Sequence, residues 1–455
     1  MNIYISVEIT SRELDSKLLL ATLAAARGHL VMVSDLESIL KGMRSGALAP
    51  GIFHTKSLTP SNLKIARYKS FTERGFKITS IDEEAGLDID GYEEFSRTRF
   101  SDQMIGQASA VFGWGTEDVQ TLQKDYFKHS SKIHKTGSPR VDLWKSLFSD
   151  YWGIPKSTPE KPFLLVSSNM SNANGILSIY ERVLQRKRSG YYKRKPELLN
   201  EEFIRGADAC LKTNAFIEAI RYLANNNKGY DIVLRPHPTE NIEAWKLYLE
   251  GIPNVHVIRE GSITPWVHNS FAVMHNGCTT ALEATVSNKP LITYAPIKTD
   301  HDSHPPNKLG YRVESLDDLS LRVNAIFDTF KSGNQKEKKE QFPHIISKKL
   351  YLDDNELAAE KIVNVWDSLA SDSLSRSSNW SKFRWLLRIN KFRKNIGRAR
   401  RLLFGRLKEN NKFPLLNSED IYKRVSRFQN ILGTKGIKCE LLSDRTILIK
   451  GKKFI

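Results

Sequence analysis

The chain has 455 residues, 40% of them hydrophobic, which predicts two or three domains with cores of their own. Its three cysteines, Cys210, Cys278 and Cys439, are too widely spaced for a disulfide framework or a zinc site, so we expect a reduced, cytoplasmic protein. The first 15 residues carry acids where a secretory leader is basic, and the longest apolar stretch, 18–26, is about half of the ~20 residues that a membrane span needs. We therefore expect neither a signal peptide nor a spanning helix.

The positive charge is concentrated near the C-terminus. The formal net charge is +18, and the segment from Ser373 onwards holds 22 Lys and Arg against 5 Asp and Glu. The preceding part is therefore nearly neutral. Such an asymmetry predicts that the two parts have different tasks.

Strand and helix patterns alternate over residues 1–154. Short apolar runs predict strands, and longer patterns such as 12–28, which stops at Gly28, predict helices between them. This alternation favours a doubly wound parallel sheet. The predicted strands are 2–9, 29–35, 51–57, 76–82 and 110–115.

A second α/β series follows the proline-rich segment 155–162, which we take as a domain boundary. We predict a long loop at 171–198. The overall expectation is two Rossmann-like domains, 1–154 and 155–372, with a cleft between them. The predicted strands of the second domain are 163–170, 230–236, 255–260, 271–276 and 290–296, and its predicted helices are 199–226, 316–330 and 356–369.

The remaining segment, 373–455, is predicted to be a tail. A serine-rich linker leads into a basic amphipathic stretch, 380–408, and then into a helix and a hairpin that turns at Ser443 and Asp444. Aromatic residues interleave with the charges, which favours contact with an anionic membrane surface. A solvated basic arm and a nucleic-acid contact are the alternatives. The aromatic residues are Trp380, Phe383, Trp385 and Phe392.

Two strands of the second domain end in residues that suit a phosphate. The first ends in Arg235 and His237, and the second ends in Asn276 and is followed by Thr279 and Thr280 at a helix start. Ligands of parallel sheets bind beyond the carboxyl ends of the strands. A cation, an imidazole and a helix N-terminus with hydroxyls together predict an anion site.

One turn further along that helix, Glu283 is a candidate acceptor for ribose hydroxyls. An ordinary helix cap with Glu283 on the surface is the alternative for this motif. Likewise, His237 between two prolines would in the simpler interpretation only cap its strand.

Carboxylates follow two strands of the first domain. Glu8 and Arg12 lie in the loop after the first strand, and Glu83 and Glu84 follow the fourth. Adjacent acids raise one another's pKa, which suits a general base or a carboxylate nucleophile. A solvated turn is the alternative, and for Glu13 at the helix start we favour simple interaction with the helix dipole.

Two patterns have the residue types of metal sites. These are Asp88-x-Asp90 and the segment 300–304, DHDSH. A lone DxD is a weak signal, and the second pattern suits a substrate loop as well as a metal. We predict no metal site and no cofactor beyond a nucleotide-sugar bound as substrate.

Six motifs together resemble the bacterial surface carbohydrate biosynthesis protein family, over roughly residues 2–370. They are VEITSRELDSKLLLA, DEEAGL, FGWG, TGSPRVD, LRPHPTE and HNGCTTALEA. The last motifs also resemble GT-B-like transferases, among them CDP-glycerol polymerising enzymes, retaining Kdo transferases and bacterial sialyltransferases.

The resemblance implies roles for individual residues. In such enzymes an HP motif and a serine/threonine motif hold the phosphate of a cytidine nucleotide, which implies this role for His237, Thr279 and Thr280. It makes Glu283 a ribose candidate and places Arg140 at the cleft. The basic tail lies outside the resemblance.

The sequence thus predicts a metal-independent, GT-B-like glycosyltransferase of surface polysaccharide assembly. We expect a CMP-activated ulosonic acid such as Kdo as donor, and a glycan acceptor that is lipid-linked at the inner face of the membrane. The catalytic carboxylate is expected to be Glu83, Glu8 or Glu84, and no nucleic-acid partner is expected. The alternatives are a CDP-glycerol-type transferase, a sugar-nucleotide epimerase and a non-catalytic assembly protein.

Overall fold

The structure is a computed structural model. It describes residues 1–85, 92–194, 196–227, 229–299, 305–333, 344–353, 355–371, 377–403 and 414–452. The chain divides into two compact units, one of Met1–Leu143 with Ile346–Ile455 and the other of Trp144–Ile345. This division differs from the predicted boundaries, because the chain returns to the first unit after the second is complete.

The first unit is built on a sheet whose six N-terminal strands are all parallel, as the alternating pattern predicted. All six residues of its first strand are buried, because helices cover both faces of such sheets. The strands are β1 Asn2–Val7, β2 Leu30–Asp35, β3 Ile52–Thr55, β4 Lys77–Ile81, β5 Ala108–Gly113 and β6 Ile133–Lys135. The helices are α1 Thr10–Ala26, α2 Leu36–Arg44, α3 Asn62–Glu73, α4 Tyr92–Arg99, α5 Asp102–Gln107, α6 Thr116–Asp125 and α7 Pro139–Asp142.

The second unit contains a six-stranded, wholly parallel sheet in the order β12-β11-β10-β7-β8-β9. The strands are β7 Phe163–Ser167, β8 Asp231–Arg235, β9 Val255–Val257, β10 Ala272–His275, β11 Leu291–Tyr294 and β12 Tyr311–Val313. The helices are α8 Ser149–Trp152, α9 Ile179–Arg188, α10 Tyr191–Arg194, α11 Leu198–Asn225, α12 Ile242–Tyr248, α13 Thr264–Asn269, α14 Thr280–Val286 and α15 Leu316–Lys331.

The sequence patterns missed two strands and several short helices, among them α9 and α10. Strands β6 and β12 have three residues each, too few for a periodic signal. Helices α9 and α10 lie in the predicted loop 171–198. Helix α9 begins at a capping box in which Ser178 Oγ accepts from the backbone N–H of Glu181 at 3.2 Å.

The C-terminal part is not a separate tail. It contains α16 His344–Lys349, α17 Ala358–Ser371, α18 Trp380–Leu403, α19 Ser418–Ile431, β13 Lys438–Ser443 and β14 Thr446–Lys450. The predicted hairpin is confirmed, and its second strand pairs antiparallel with β2. The first sheet therefore has eight strands in the order β13-β14-β2-β1-β3-β4-β5-β6. The prediction missed this because strand pairing over some 400 residues leaves no local pattern.

Helices from both ends of the chain also pack together in the first unit. The buried carboxylate of Asp142 accepts from the backbone N–H groups of Ala358 and Ala359 at 3.1 and 2.9 Å, which caps α17. Helix α19 lies against α1 and buries Phe428. Within the described part of the chain, no helix combines the length and apolarity that crossing a bilayer requires.

Candidate functional site

Three neighbouring strands of the second sheet end at the same level. Ser167, the last residue of β7, is level with Arg235 of β8 and His275 of β10. The loops that follow these strands, 168–172, 236–240 and 276–279, are therefore adjacent at the carboxyl edge. This is the edge where parallel α/β sheets bind ligands.

A buried carboxylate, Glu240, joins two of these loops. Its Oε2 accepts from Trp245 Nε1 at 2.6 Å and from Ser168 Oγ at 2.9 Å, and its Oε1 accepts from the backbone N–H of Met170 at 2.8 Å. The same Oε1 lies 3.3 Å from the backbone nitrogen of His237. Glu240 thus sets the positions of both loops. Glu240 ends the LRPHPTE motif, but its residue type and position alone did not predict this role.

The ring of His237 is held by the residue two positions on. The backbone N–H of Thr239 donates to His237 Nδ1 at 3.3 Å, and Thr239 Oγ1 lies 2.7 Å from the same nitrogen. Because a backbone N–H only donates, Nδ1 is the acceptor and the proton of the neutral ring is on Nε2. Burial lowers the pKa of His237, so the ring at neutral pH is an uncharged Nε2–H donor.

Arg235 has partners on the loop after β9. Its guanidinium donates to the carbonyl oxygens of Glu260 and Gly261 at 2.6 and 2.9 Å, and it lies over the ring of Trp266 at 5.1 Å. Burial lowers its pKa to about 10. These contacts fix the 260–261 loop against the sheet, and they use guanidinium donors that the sequence analysis assigned to a phosphate.

Asn276 and Gly277 form the turn that follows β10. Asn276 Nδ2 donates to the carbonyl oxygen of Tyr294 at 2.8 Å. Gly277 has φ of +66°, which favours glycine, and its N–H donates to Asn307 Oδ1 at 2.6 Å. Its carbonyl accepts from Asn169 Nδ2 at 2.9 Å, so the turn is bound to the loop after β7.

The hydroxyls that follow differ in their exposure. Thr279 is half-buried and its side chain makes no capping bond to α14. Thr280 is buried, and its Oγ1 accepts from Ser167 Oγ at 3.1 Å. Glu283 is also buried and accepts from Thr264 Oγ1 at 2.9 Å. Of these three predicted ligand residues, the structure leaves Thr279 the nearest to the surface.

A cavity of about 140 Å³ lies at this edge. It is bounded by the loop after β7, the turn after β10 and one face of α11. Its lining residues are Asn169, Met170, Asn172, Arg205, Asp208, Ala209, Lys212, Asn276 and Gly277. Among the predicted site residues, only Asn276 lines it.

The lining of the cavity is polar and contains two cations and one acid. Arg205, Asp208 and Lys212 are three and four residues apart on α11, so they share one face of the helix. The side chain of Arg205 also pairs with Glu201 at 3.0 Å. Together with the amides of Asn169 and Asn172, this lining suits a small anionic ligand that carries hydroxyl groups. These residues were not predicted as ligands, because their spacing on the helix alone does not distinguish a ligand face from a solvated one.

In the first unit, Glu83 forms a buried ion pair with Lys17. Lys17 Nζ also donates to His54 Nε2 at 3.3 Å, and the other ring nitrogen of His54 bonds Thr79 Oγ1 at 3.1 Å. Burial, followed by the charge of Lys17, lowers the pKa of His54 well below its usual value. The carboxylate of Glu83 is thus enclosed by α1 and β3.

Glu8 and Glu84 are the more exposed predicted carboxylates. Lys56 pairs with Glu8 at 2.7 Å, and Arg12 lies between Glu84 at 3.4 Å and the buried Glu13 at 3.1 Å. The side chain of Glu8 is 41% exposed and that of Glu84 is 45% exposed. Arg12 is therefore part of an ion-pair network at the carboxyl edge of the first sheet.

Asp82 precedes these acids and belongs to the same network. Arg99 binds it through two hydrogen bonds of 3.0 and 2.9 Å and also reaches Glu84 at 3.0 Å. Burial raises the pKa of Asp82 although Arg99 opposes that shift. Arg99 came from no motif in the sequence analysis.

Arg140 lies on the short helix α7, which begins after Ser138. The hydroxyl of Ser138 accepts from the backbone N–H of Arg140 at 3.3 Å, and Pro139 occupies the first helical position. The TGSPR motif is thus a strand-to-helix turn at the end of the first sheet, and its arginine is half-buried.

The described residues contain no group of three or more His, Cys, Asp or Glu side chains arranged to hold a metal ion. Asp88, Asp90 and the 300–304 segment lie outside the described residues, so the two metal-like patterns stay without a structural account.

No protein-family model matches the chain, and no curated protein sequence is significantly similar to it. Solved structures are similar to it at low identity. The UDP-GlcNAc 2-epimerase from Methanocaldococcus jannaschii is 12% identical with a TM-score of 0.47, covering 81% of this chain and 100% of its own. The enzyme of that name from Neisseria meningitidis is 11% identical with a TM-score of 0.46, covering 81% and 99%. The wall teichoic acid polymerase TagF is 10% identical with a TM-score of 0.46, covering 82% and 90%.

Proposed function

We propose that this protein is a glycosyltransferase of bacterial surface polysaccharide synthesis that takes its sugar from a nucleotide-activated donor. The observation that carries the proposal is the polar cavity at the carboxyl edge of the second sheet. Its lining contains two cations, one acid, three amide side chains and Gly277. A nucleotide-sugar presents phosphate oxygens and several hydroxyls, which are the complementary groups, and a cavity of about 140 Å³ takes up part of such a ligand.

The leaving phosphate is assigned to the loops around this cavity. His237 supplies an uncharged N–H donor and Thr279 a hydroxyl, both from loops at the same sheet edge and outside the cavity lining, and Lys212 supplies a positive charge from the lining itself. Donors fixed before the reaction stabilise charge that develops on a leaving group, and each is typically worth about 10²–10³ in rate. The fixed partners of His237 on Thr239 and Glu240 support such a role.

The acceptor hydroxyl must lose a proton as the new glycosidic bond forms. We assign the base to a carboxylate of the first unit, and among the three predicted ones Glu84 and Glu8 reach solvent. Glu83, being enclosed with Lys17, is the weaker candidate. A CMP-activated ulosonic acid such as Kdo is our first choice of donor, as the motif resemblance implies. The proposed acceptor is a glycan, lipid-linked at the cytoplasmic face of an anionic membrane.

Calorimetric titration of the full-length protein with CMP, CDP, UDP and GDP tests the donor site. We expect one of these nucleotides to bind, and Lys212→Ala to weaken its binding about tenfold, the loss of one charge-assisted hydrogen bond. Lys246→Ala is the matched control, because Lys246 is an exposed lysine of the same unit that pairs with Glu243 at 3.0 Å and does not line the cavity.

Absence of binding by all four nucleotides, or equal weakening by both lysine variants, would overturn the assignment. Product analysis then decides the reaction. Transfer to a glycan acceptor supports the proposal, whereas turnover of a UDP-sugar without any acceptor would identify an epimerase. Transfer of a polyol phosphate from CDP-glycerol would identify the polymerase type of enzyme.

A further inference from the structure

Helix α18 uses one of its faces to bind the first unit. Phe383 is 1% exposed, and it lies so close to Gly42 of α2 that a Cβ at that glycine would be 2.6 Å from its ring. Leu387 and Asn390 follow on the same face and are buried, and Lys41 donates to Asn390 Oδ1 at 2.6 Å. This face anchors the helix and is not available to a partner.

The opposite face carries two large aromatic side chains. Trp385 is 60% exposed and Phe392 is 67% exposed. They are seven residues apart, which places them on one side of the helix two turns from each other. Arg388, also exposed, lies between them. Exposed aromatic residues that line up on a helix mark a binding surface more often than isolated ones do.

The charge of this helix has one sign. Residues 380–403 contain nine Lys and Arg and neither Asp nor Glu. Two of the cations are paired with acids of the hairpin, Arg384 with Glu440 and Lys391 with Asp444 at 3.3 Å. The segment as a whole therefore carries an excess of positive charge, and Arg388 lies on its aromatic face.

We propose that the outward face of α18 binds the surface of an anionic lipid bilayer. Trp385 and Phe392 enter the interfacial region, and Arg388 contacts lipid phosphates. The helix lies along the surface, because its charge prevents it from crossing. Aromatic residues beside the cations favour a membrane over nucleic acid, since tryptophan is enriched at the boundary between lipid and water.

This inference deepens the proposed function. Only the purpose of the membrane contact, which is to bring the protein to a lipid-linked acceptor, rests on that proposal. Deleting the C-terminal segment would be an unsuitable test, because it would also remove the pairing of β14 with β2. Point substitutions on the outward face leave that pairing in place.

The experiment is flotation of the full-length protein with vesicles of phosphatidylcholine alone or with about a third phosphatidylglycerol. We expect binding to the anionic vesicles only, with a loss of at least tenfold in Trp385→Ala/Phe392→Ala and a comparable loss in Arg388→Glu. Phe127→Ala removes an aromatic residue of the first unit that is 70% exposed, and it should bind as the unchanged protein does.

Failure of the unchanged protein to bind anionic vesicles would overturn the proposal, as would equal binding by the double aromatic variant. If single-stranded RNA displaced the protein from vesicles, and if binding of that RNA required Trp385 and Phe392, the face would instead be assigned to nucleic acid. Nucleotide titration of the same double variant separates the two proposals, because the cavity in the second unit does not involve these residues.

Discussion

Lys17 and Glu83 form an ion pair in which the two side chains are only 1% and 4% exposed. Removing one partner of such a pair leaves a charge in a low-dielectric interior. Glu83 is therefore a residue for which stability and catalysis have to be separated by measurement.

We predict that Glu83→Ala lowers the free energy of unfolding by about 3–5 kcal/mol, because Lys17 is left buried without its carboxylate. Urea denaturation of the variant measures this loss. The double variant Lys17→Met/Glu83→Leu should recover much of it, since neither charge remains. A variant of full stability that has lost turnover would show that Glu83 acts in the reaction instead.

Glu240→Ala is expected to destabilise the second unit by about 3 kcal/mol or more. The change leaves the indole N–H of Trp245, the hydroxyl of Ser168 and the backbone N–H of Met170 without their acceptor, and each buried orphan costs about 1–3 kcal/mol. Denaturation followed by fluorescence checks this. Glu243→Ala is the control. It removes an exposed carboxylate from the first turn of α12 and should change the unfolding midpoint little.

His237→Ala should lower donor turnover by about 10² or more and leave the unfolding midpoint nearly unchanged, because the ring is a proposed phosphate donor near the surface. Steady-state kinetics with the donor identified by titration measures it. Thr239→Val removes the hydroxyl beside Nδ1 but keeps the backbone N–H, so a smaller loss is expected. Turnover by His237→Ala equal to that of the unchanged protein would refute the role.

Acid should destabilise the second unit through His275. Burial lowers the pKa of this ring to about 3, below the ordinary value of 6.5. The unfolded chain then binds one more proton than the folded chain between these values, so stability is complete above about pH 6.5 and falls as the pH decreases.

The expected slope from His275 is about 1.4 kcal/mol per pH unit below that point. Urea denaturation between pH 7 and about pH 4.5 measures it, and His275→Gln should reduce the slope by this amount. An unchanged slope in the variant would mean that the ring is protonated in the folded protein.

The hairpin at the C-terminus should matter for the stability of the first unit. Ile449 of β14 is fully buried and is level with Val31 of β2. Ile449→Ala should therefore cost about 2–5 kcal/mol, as truncation of a core aliphatic residue does. Thermal unfolding measures the loss, and Leu415→Ala, at a site that is 69% exposed, is the control. An effect as small as that of the control would mean that the hairpin contributes little to the sheet.

The sequence by itself determined the α/β class, most strands and the hairpin. Strands such as β1 and β7 are buried on both faces, so they appear as continuous apolar runs between turns, and this signal is local. The same locality placed His237 and Asn276 directly after the strands that became β8 and β10, because a motif and its strand are contiguous in the chain.

Only the tertiary structure decided what each charged group contacts. Glu83 is enclosed because α1 brings Lys17 against it, and Arg235 is occupied because the loop after β9 presents its carbonyls. Lys212 lines a cavity through the packing of α11 beside the loop after β7. Pairing of β14 with β2 likewise joins the two ends of the chain. Such contacts depend on packing between residues far apart in sequence, which leaves no periodic trace.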